Sequence, residues 1–204
     1  RMYANSVVLP NGQVLVVGGK TYVQELSDSN AVLAPELWDP ETESFTVLPA
    51  MAVPRNYHSL ALLLPDGRVV SAGGGLCGCA ADKPNLQIMS PPYLFNLDGS
   101  EAVRPVIASA PATLSYGGTA SVTTDTPVSA FSLVRLGATT HTVNNDQRRV
   151  SLGFTPGTGN SYVLASSYVK SGWVGTANRY LILKYNAAGR RLWSHLYGET
   201  GLPE

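Results

Sequence analysis

Short apolar runs separated by glycine- and proline-rich turns recur along the first half of the chain. The segment 6–19 (SVVLPNGQVLVVGG) returns as the segment 61–74 (ALLLPDGRVVSAGG). Each copy predicts a β-hairpin, because its apolar runs have strand length and Pro-Asn-Gly or Pro-Asp-Gly supplies the positive φ of a tight primed turn. The runs are short enough for strands buried on both faces, and the glycine pairs at their ends permit close strand packing.

A further hairpin is predicted between the two copies. Residues 34–49 follow the order strand, polar turn, strand, with Trp38 and Phe45 available as packing anchors. Paired hairpins with a period of roughly 50 residues are typical of a kelch-type β-propeller, whose blades have four strands each. Residues 1–102 hold about two blades, whereas a propeller closes with about four to eight. We therefore expect a fragment of a larger propeller; the alternative is an ordinary β-sandwich.

The second half of the chain has a different pattern. Residues 113–124 and 130–136 alternate apolar and polar side chains, with glycines at the turns, which predicts an immunoglobulin-like β-sandwich over residues 103–160. His141 and the polar run 144–149 are too hydrophilic for a buried strand and predict a loop. Such a loop can carry His141 onto the propeller, so that two domains share one site.

The last segment, 161–204, is predicted to be a divergent β-hairpin tail. Residues 181–185 pair with residues 191–195 in this interpretation. His195 is expected to be a surface residue rather than a metal ligand, and Trp173 and Trp193 to be packing anchors. The fold class is therefore all-β: a partial kelch-type β-propeller of about two blades, followed by an immunoglobulin-like β-sandwich.

Composition narrows the range of partners. Fourteen Lys and Arg balance fourteen Asp and Glu, and charged residues make up 14% of the chain. Such a chain has no long-range field to attract nucleic acid or an anionic membrane surface. No apolar run approaches the roughly 20 residues of a membrane span, and residues 1–4 lack the pattern of a signal peptide. We expect neither nucleic acid nor membrane as a partner.

Two histidine-containing segments hold the candidate metal-binding residues of the chain. Tyr57 precedes His58, and His141 follows far along the sequence. One phenol oxygen and two imidazole nitrogens suit Cu(II), which makes a copper oxidase the leading hypothesis. The structural alternative is a packed aromatic ring beside a hydrogen-bonded imidazole.

Four motifs resemble a known family. They are Tyr57-His58-Ser59, residues 63–69 (LLPDGRV), residues 73–77 (GGGLC) and residues 138–149 (ATTHTVNNDQRR). Together they are similar to the C-terminal half of galactose oxidase and glyoxal oxidase, over residues 1 to about 160. The resemblance implies one copper ion held by two tyrosines and two histidines, with one tyrosine cross-linked to a cysteine as a radical cofactor.

The resemblance also implies residue roles. Tyr57 matches the axial tyrosine that accepts the substrate proton, His58 the first imidazole ligand and His141 the second. The radical tyrosine and its cysteine are expected upstream of this chain, together with the other blades of the propeller. By itself the chain is therefore expected to be inactive.

The implied activity is oxidation of a primary alcohol or an aldehyde by O2, which gives a carbonyl compound or an acid plus H2O2. The substrate would be a small alcohol, aldehyde or carbohydrate, and the protein would be secreted. The alternative is a non-catalytic, secreted carbohydrate-binding or adhesion protein on the same scaffold, since fold alone does not establish function.

One departure from the family concerns the cysteines. The family usually has two residues between these cysteines, a spacing that suits a disulfide, whereas Cys77 and Cys79 are separated only by Gly78. A disulfide, two reduced thiols and a metal site are all open from the sequence. Because we expect the protein to be secreted into an oxidising environment, we favour the disulfide.

Overall fold

The computed structural model describes residues 1–113, 118–135, 137–140, 143–165, 180–185 and 191–197. Within these ranges the regular structure is β, apart from one 3₁₀ turn at Pro92–Leu94. No helix of the described residues is long and apolar enough to cross a membrane.

The first sheet is a four-stranded antiparallel meander. Its strands are β1 (Asn5–Val8), β2 (Val14–Val17), β3 (Glu36–Asp39) and β4 (Ser44–Val47). They pair in chain order, so that both predicted hairpins of this region are present. A four-stranded meander is the form of one propeller blade.

The second sheet repeats the first three strands of this pattern. It consists of β5 (Ser59–Leu63), β6 (Val69–Gly73) and β7 (Leu86–Met89), again in chain order. β5 and β6 form the hairpin of the second repeat copy. β1 contacts β5, and Asn5 Nδ2 donates a hydrogen bond of 3.1 Å to Ser59 Oγ between the two sheets.

The turns of the two repeat hairpins are not of the primed type, so that detail of the prediction was wrong. Pro10 occupies the first central position, where its ring holds φ near −65°, and a type I′ turn needs a positive φ there. The positive φ lies instead at Gly12, at 97°, whose N–H donates to the Leu9 carbonyl at 2.9 Å. This is the pattern of an ordinary turn followed by a bulge glycine, and Gly67 repeats it with φ 87°.

Burial within the first two sheets alternates along the strands rather than covering both faces. The buried core residues are Val7, Leu9, Leu15, Val17, Leu37, Met51, Ala61, Leu63 and Val69. Trp38 is half-buried, but Phe45 is 61% exposed on the edge strand β4. The prediction of Phe45 as a packing anchor was therefore wrong for the described part of the chain.

The second half forms a five-stranded antiparallel sheet with the order β10-β13-β14-β9-β8. The strands are β8 (Ile107–Ser109), β9 (Thr119–Thr124), β10 (Phe131–Arg135), β13 (Arg148–Pro156) and β14 (Ser161–Ala165). Residues 161–165, assigned to the tail from the sequence, form a strand in the middle of this sheet. They are recruited because Tyr162 and Leu164 are buried on its inner face.

Aromatic rings fill the core of this sheet. Phe131, Phe154 and Tyr162 meet edge to face, with centroids 5.1–5.5 Å apart. The backbone N–H of Val128 donates to the Tyr162 hydroxyl at 3.0 Å, so that the polar end of the buried ring has a partner.

Two short hairpins complete the described structure. β11 (Ala138–Thr140) pairs with β12 (Val143–Asn145), and β15 (Tyr180–Tyr185) pairs with β16 (Arg191–Tyr197). The second hairpin confirms the predicted pairing in the tail. The predicted loop at 144–149 was wrong, because residues 144–145 and 148–149 lie in β12 and β13.

The glycine pair at the end of the first repeat permits a close backbone approach. Gly19 N–H donates to the Arg55 carbonyl at 2.7 Å. Gly18 has φ 66°, and a Cβ built there would overlap the Arg55 carbonyl oxygen and lie 2.8 Å from the Arg55 Cβ. The absence of a side chain at position 18 therefore allows the segment before β5 to lie against β2.

We predict that Gly18→Ala destabilises the chain more than Gly159→Ala. Position 159 has a similar φ of 61° but nothing within 4 Å of its Cβ position, so that only the left-handed conformation is penalised, by about 1–2 kcal/mol. Gly18→Ala adds the overlap with Arg55 and should lower the free energy of unfolding by about 1–3 kcal/mol more. Urea unfolding followed by tryptophan fluorescence measures both, and equal losses would contradict the close approach.

Candidate metal centre

Tyr57 and His58 are the two central residues of a tight turn that leads into β5. Ser59 N–H donates to the Asn56 carbonyl at 3.0 Å, and His58 has φ 64°. A positive φ at this position of a turn favours glycine, and a histidine there costs about 1–2 kcal/mol. The surroundings must therefore stabilise this conformation.

Gly75 holds the turn through both of its backbone polar groups. Its N–H donates to the Tyr57 carbonyl at 2.8 Å, and its carbonyl lies 2.6 Å from His58 Nδ1. A carbonyl oxygen can only accept, so Nδ1 carries the proton and Nε2 carries a free lone pair. A metal-binding histidine typically has its second ring nitrogen bonded in this way. The His58 side chain is exposed, which leaves it accessible to an ion.

The tyrosine and histidine rings lie side by side. Their centroids are 3.8 Å apart with an interplanar angle of 31°. Tyr3 packs against Tyr57 edge to face at 5.4 Å. The Tyr3 hydroxyl donates to Glu25 Oε1 at 2.9 Å, and this hydrogen bond to a carboxylate raises the pKa of Tyr3. Tyr3 therefore packs against one side of the Tyr57–His58 ring pair.

Arg55, which sequence reasoning did not single out, is buried beneath this turn. Its Nη1 donates to the carbonyls of Gly73 and Asn85 at 3.0 and 3.1 Å, and its Nη2 donates to Asn85 Oδ1 at 2.8 Å. Burial lowers the pKa of Arg55. The guanidinium ties the turn to the end of β6 and to the segment before β7. A charged residue directly before Asn56-Tyr57-His58 was the only sequence signal for this role.

Cys77 and Cys79 form a disulfide, which resolves the alternatives that the sequence left open. Asp82 lies beside them, and the three side chains are close enough to hold a metal. The disulfide occupies both sulfur atoms, so that the cysteines are not metal ligands here. Asp82 instead accepts backbone hydrogen bonds, of which the bond from Cys77 is the largest cause of its lowered pKa.

His141, the third predicted ligand, lies outside the described residues. The strands on either side of it, β11 and β12, both contact β5, the strand that begins directly after His58. Asn144 Nδ2 donates to the Ala61 carbonyl of β5 at 3.3 Å. The structure thus brings Tyr57 and His58 together, and it describes the flanks of His141 but not His141 itself.

Residues of the same polar motif fasten this hairpin to β1. Gln147 Oε1 accepts from Val8 N–H at 2.8 Å, and Gln147 Nε2 donates to the Ser6 carbonyl at 2.9 Å. Arg149 Nε donates to the Pro10 carbonyl at 2.5 Å. These polar side chains satisfy backbone groups of the first sheet, which explains how a hydrophilic segment is accommodated in strands. Sequence reasoning missed this role.

The donors that the structure shows fit a copper ion. A phenol oxygen and a deprotonated imidazole nitrogen are ligands that Cu(II) accepts in tetragonal sites. The Gly75 carbonyl supplies the outer hydrogen bond that orients such an imidazole. Tyr57 and His58 are therefore the described residues that could hold such an ion, with one oxygen and one nitrogen donor.

Comparisons with known proteins identify the family to which the chain is similar. The family profile described as glyoxal oxidase N-terminus matches residues 1–77, and the profile described as galactose oxidase-like, early set domain matches residues 104–183. Galactose oxidase from Gibberella zeae is 43% identical over 164 residues, which cover 79% of this chain and 24% of the relative. Aldehyde oxidase GLOX from Vitis pseudoreticulata is 33% identical over 172 residues, which cover 76% of this chain and 32% of the relative.

A solved structure gives the same result for the fold. The chain superposes on a fungal alcohol oxidase of the AA5 family in complex with copper, with a TM-score of 0.76 and 39% identity. The match covers 98% of this chain and 40% of that one. The all-β fold predicted from the sequence, a partial propeller followed by an immunoglobulin-like domain, is confirmed. The chain spans about a quarter of the length of the galactose oxidase that it matches. It belongs to the family of copper radical oxidases that contains galactose oxidase and glyoxal oxidase.

Proposed function

We propose that the protein containing this chain is a copper oxidase in which Tyr57, His58 and His141 bind the metal. The observation that carries the proposal is the His58 imidazole, whose Nδ1 donates to the Gly75 carbonyl and whose Nε2 has no hydrogen-bond partner among the described residues, beside the Tyr57 ring. The reaction is oxidation of a primary alcohol by O2 to an aldehyde and H2O2. The second form of the proposed reaction is the oxidation of an aldehyde by O2 with water, which gives an acid and H2O2.

When bound, copper would supply one of the two one-electron acceptors that such an oxidation needs, and a tyrosine cross-linked to a cysteine in another part of the protein would supply the other. Tyr57 has the role of general base: its phenolate oxygen takes the hydroxyl proton of the substrate. His58 serves as a neutral ligand whose orientation is set by Gly75. Tyr3 limits the movement of the Tyr57 ring through their edge-to-face contact.

The contact between β12 and β5 supports His141 as the second imidazole ligand. Asn144 reaches the Ala61 carbonyl, and Asn144 lies three positions after His141, as Ala61 lies three positions after His58. Three residues span at most about 10 Å of extended chain. Both imidazoles therefore belong to segments that are joined at one hydrogen bond.

The substrate class and the location are part of the same proposal. The relatives are a galactose oxidase and an aldehyde oxidase, and we assign a small alcohol, aldehyde or carbohydrate as substrate. The disulfide between Cys77 and Cys79 favours a secreted protein. The remaining propeller blades of the same protein would supply the rest of the copper site.

Copper binding depends on His58 and His141 in this proposal and not on His195. Loss of an outer hydrogen-bond partner of a metal ligand lowers metal affinity by about 10–100-fold. We predict that His58→Ala and His141→Ala, which remove a ligand itself, each lower Cu(II) affinity by more than this. His195→Ala is the matched control and should bind Cu(II) like the wild type. The measurement is Cu(II) titration of the full-length protein with electron paramagnetic resonance. A wild-type protein without tightly bound Cu(II) would leave carbohydrate binding or adhesion as the function.

Tyr57→Phe should separate copper binding from turnover. The substitution keeps the ring that packs on Tyr3 and His58 but removes the oxygen that takes the proton. We expect H2O2 production from a primary alcohol to fall by about 10²–10⁴-fold, with both histidine ligands intact. A peroxidase-coupled assay on the copper-loaded full-length protein measures this. Turnover at the wild-type rate would show that Tyr57 is not the base.

A further inference from the structure

We propose that Asp82 is a positioning residue of the copper site, acting on His58 through the peptide unit that joins Gly75 to Leu76. This inference rests on the proposed function in so far as it concerns copper. The role of Asp82 in orienting the His58 ring stands on the geometry of the chain alone.

One peptide unit connects the carboxylate to the imidazole. The Gly75 carbonyl accepts from His58 Nδ1 at 2.6 Å, and the N–H of the same peptide, at Leu76, donates to Asp82 Oδ1 at 2.5 Å. A trans peptide is planar, and its C=O and N–H point in opposite directions. Holding the N–H on Asp82 therefore aims the carbonyl at the histidine. Hydrogen bonds arranged in such a chain also polarise one another.

The carboxylate holds more of the loop than this one peptide. Asp82 Oδ1 also accepts from Cys77 N–H at 2.8 Å, and Oδ2 accepts from Gly78 N–H at 2.8 Å. Three successive backbone donors that converge on one anion form an anion-binding concavity, and the anion is a side chain of the same loop. The disulfide between Cys77 and Cys79 closes the loop around Gly78.

The loop needs this support because its backbone conformation is unfavourable by itself. Gly75 and Leu76 have φ of 82° and 81°, and a leucine in the left-handed region is uncommon. A Cβ at Gly75 would overlap Asp82 Oδ1 and lie 2.6 Å from the Ala81 carbonyl carbon. A glycine at position 75 thus lets the carboxylate come close enough to bind the next peptide.

The segment that carries Asp82 is itself tied to the residue before Tyr57. Lys83 N–H donates to the Gly74 carbonyl at 3.1 Å, and Lys83 Nζ pairs with Asp28 Oδ2 at 2.6 Å. Asp28 Oδ1 accepts from Asn56 Nδ2 at 3.3 Å. The position of Asp82 is therefore determined by contacts on both sides of the Tyr57-His58 turn.

The test compares Asp82→Ala, Asp82→Asn and a control, Asp98→Ala, in the full-length protein. Asp98 also accepts a backbone N–H in an exposed turn, from Ser100 at 2.9 Å, and within the described part of the chain its hydrogen bonds do not reach the Tyr57-His58 turn. Histidine ring ¹⁵N NMR of the copper-free protein reports the tautomer, with the His58 signal assigned from His58→Ala. Cu(II) titration and electron paramagnetic resonance give the affinity and the ligand field.

We expect the Nδ1–H tautomer of His58 in the wild type and in Asp98→Ala, and a shift toward Nε2–H in Asp82→Ala, because the acceptor for Nδ1 is no longer oriented. Cu(II) affinity should fall by about 10–100-fold in Asp82→Ala. Asp82→Asn keeps an acceptor oxygen without the charge. Its tautomer ratio and its Cu(II) affinity should therefore lie between those of the wild type and Asp82→Ala. If Asp82→Ala does not fold, the same two measurements on Asp82→Asn decide whether Asp82 orients His58.

A wild-type tautomer and wild-type Cu(II) affinity in Asp82→Ala would overturn the proposal, even if thermal stability falls, because Asp82 would then be only structural. A wild-type protein that binds no Cu(II) would refute the proposed function instead. In that case the tautomer of His58 in the Asp82 variants still decides the role of Asp82.

Discussion

The hydrogen bond between His58 Nδ1 and the Gly75 carbonyl determines what the candidate site can do. It assigns the proton to one ring nitrogen and leaves the other as a donor on an exposed side chain. It also stabilises a histidine in a backbone conformation that favours glycine. Without this bond the ring would be free to adopt either tautomer, and the turn would lose a contact that offsets its unfavourable φ. The orientation and the tautomer of the His58 ring therefore depend on the loop that faces it.

Glycines at the ends of the two repeat hairpins make that arrangement possible. Gly18 lets the backbone of Arg55 approach β2, and Gly75 brings a carbonyl and an N–H onto the Tyr57-His58 turn. The ends of the two repeat hairpins therefore both contact the segment that contains Arg55 and the Tyr57-His58 turn. Buried Arg55 donates to the carbonyls of Gly73 and Asn85 rather than to a carboxylate, and its buried Nε has no hydrogen-bond partner among the described residues.

Polar contacts between the two halves of the chain extend the site beyond one sheet. Asn144 and Gln147 bind backbone groups of β5 and β1, at positions where an ordinary strand pair would have a neighbouring strand. These bonds satisfy backbone donors and acceptors of β1 and β5, and they hold the β11–β12 hairpin on the sheet that follows the Tyr57-His58 turn. The chain covers about a quarter of the length of its galactose oxidase relative.

The amino-acid sequence by itself determined the strand-turn-strand order, the place of each repeat hairpin and the Tyr57-His58 motif, because apolar periodicity and turn residues act over a few neighbouring positions. Tertiary structure decided the exposure of Phe45, the inclusion of residues 161–165 in the second sheet, and the disulfide between Cys77 and Cys79. It also showed what Arg55, Asp82 and Gln147 do, since each acts on backbone groups that no local pattern connects with it. A hydrogen bond to a backbone group places no constraint on the residue type at the backbone position, whereas burial does constrain residue type along a strand. The fold was therefore easier to predict than the support of the site.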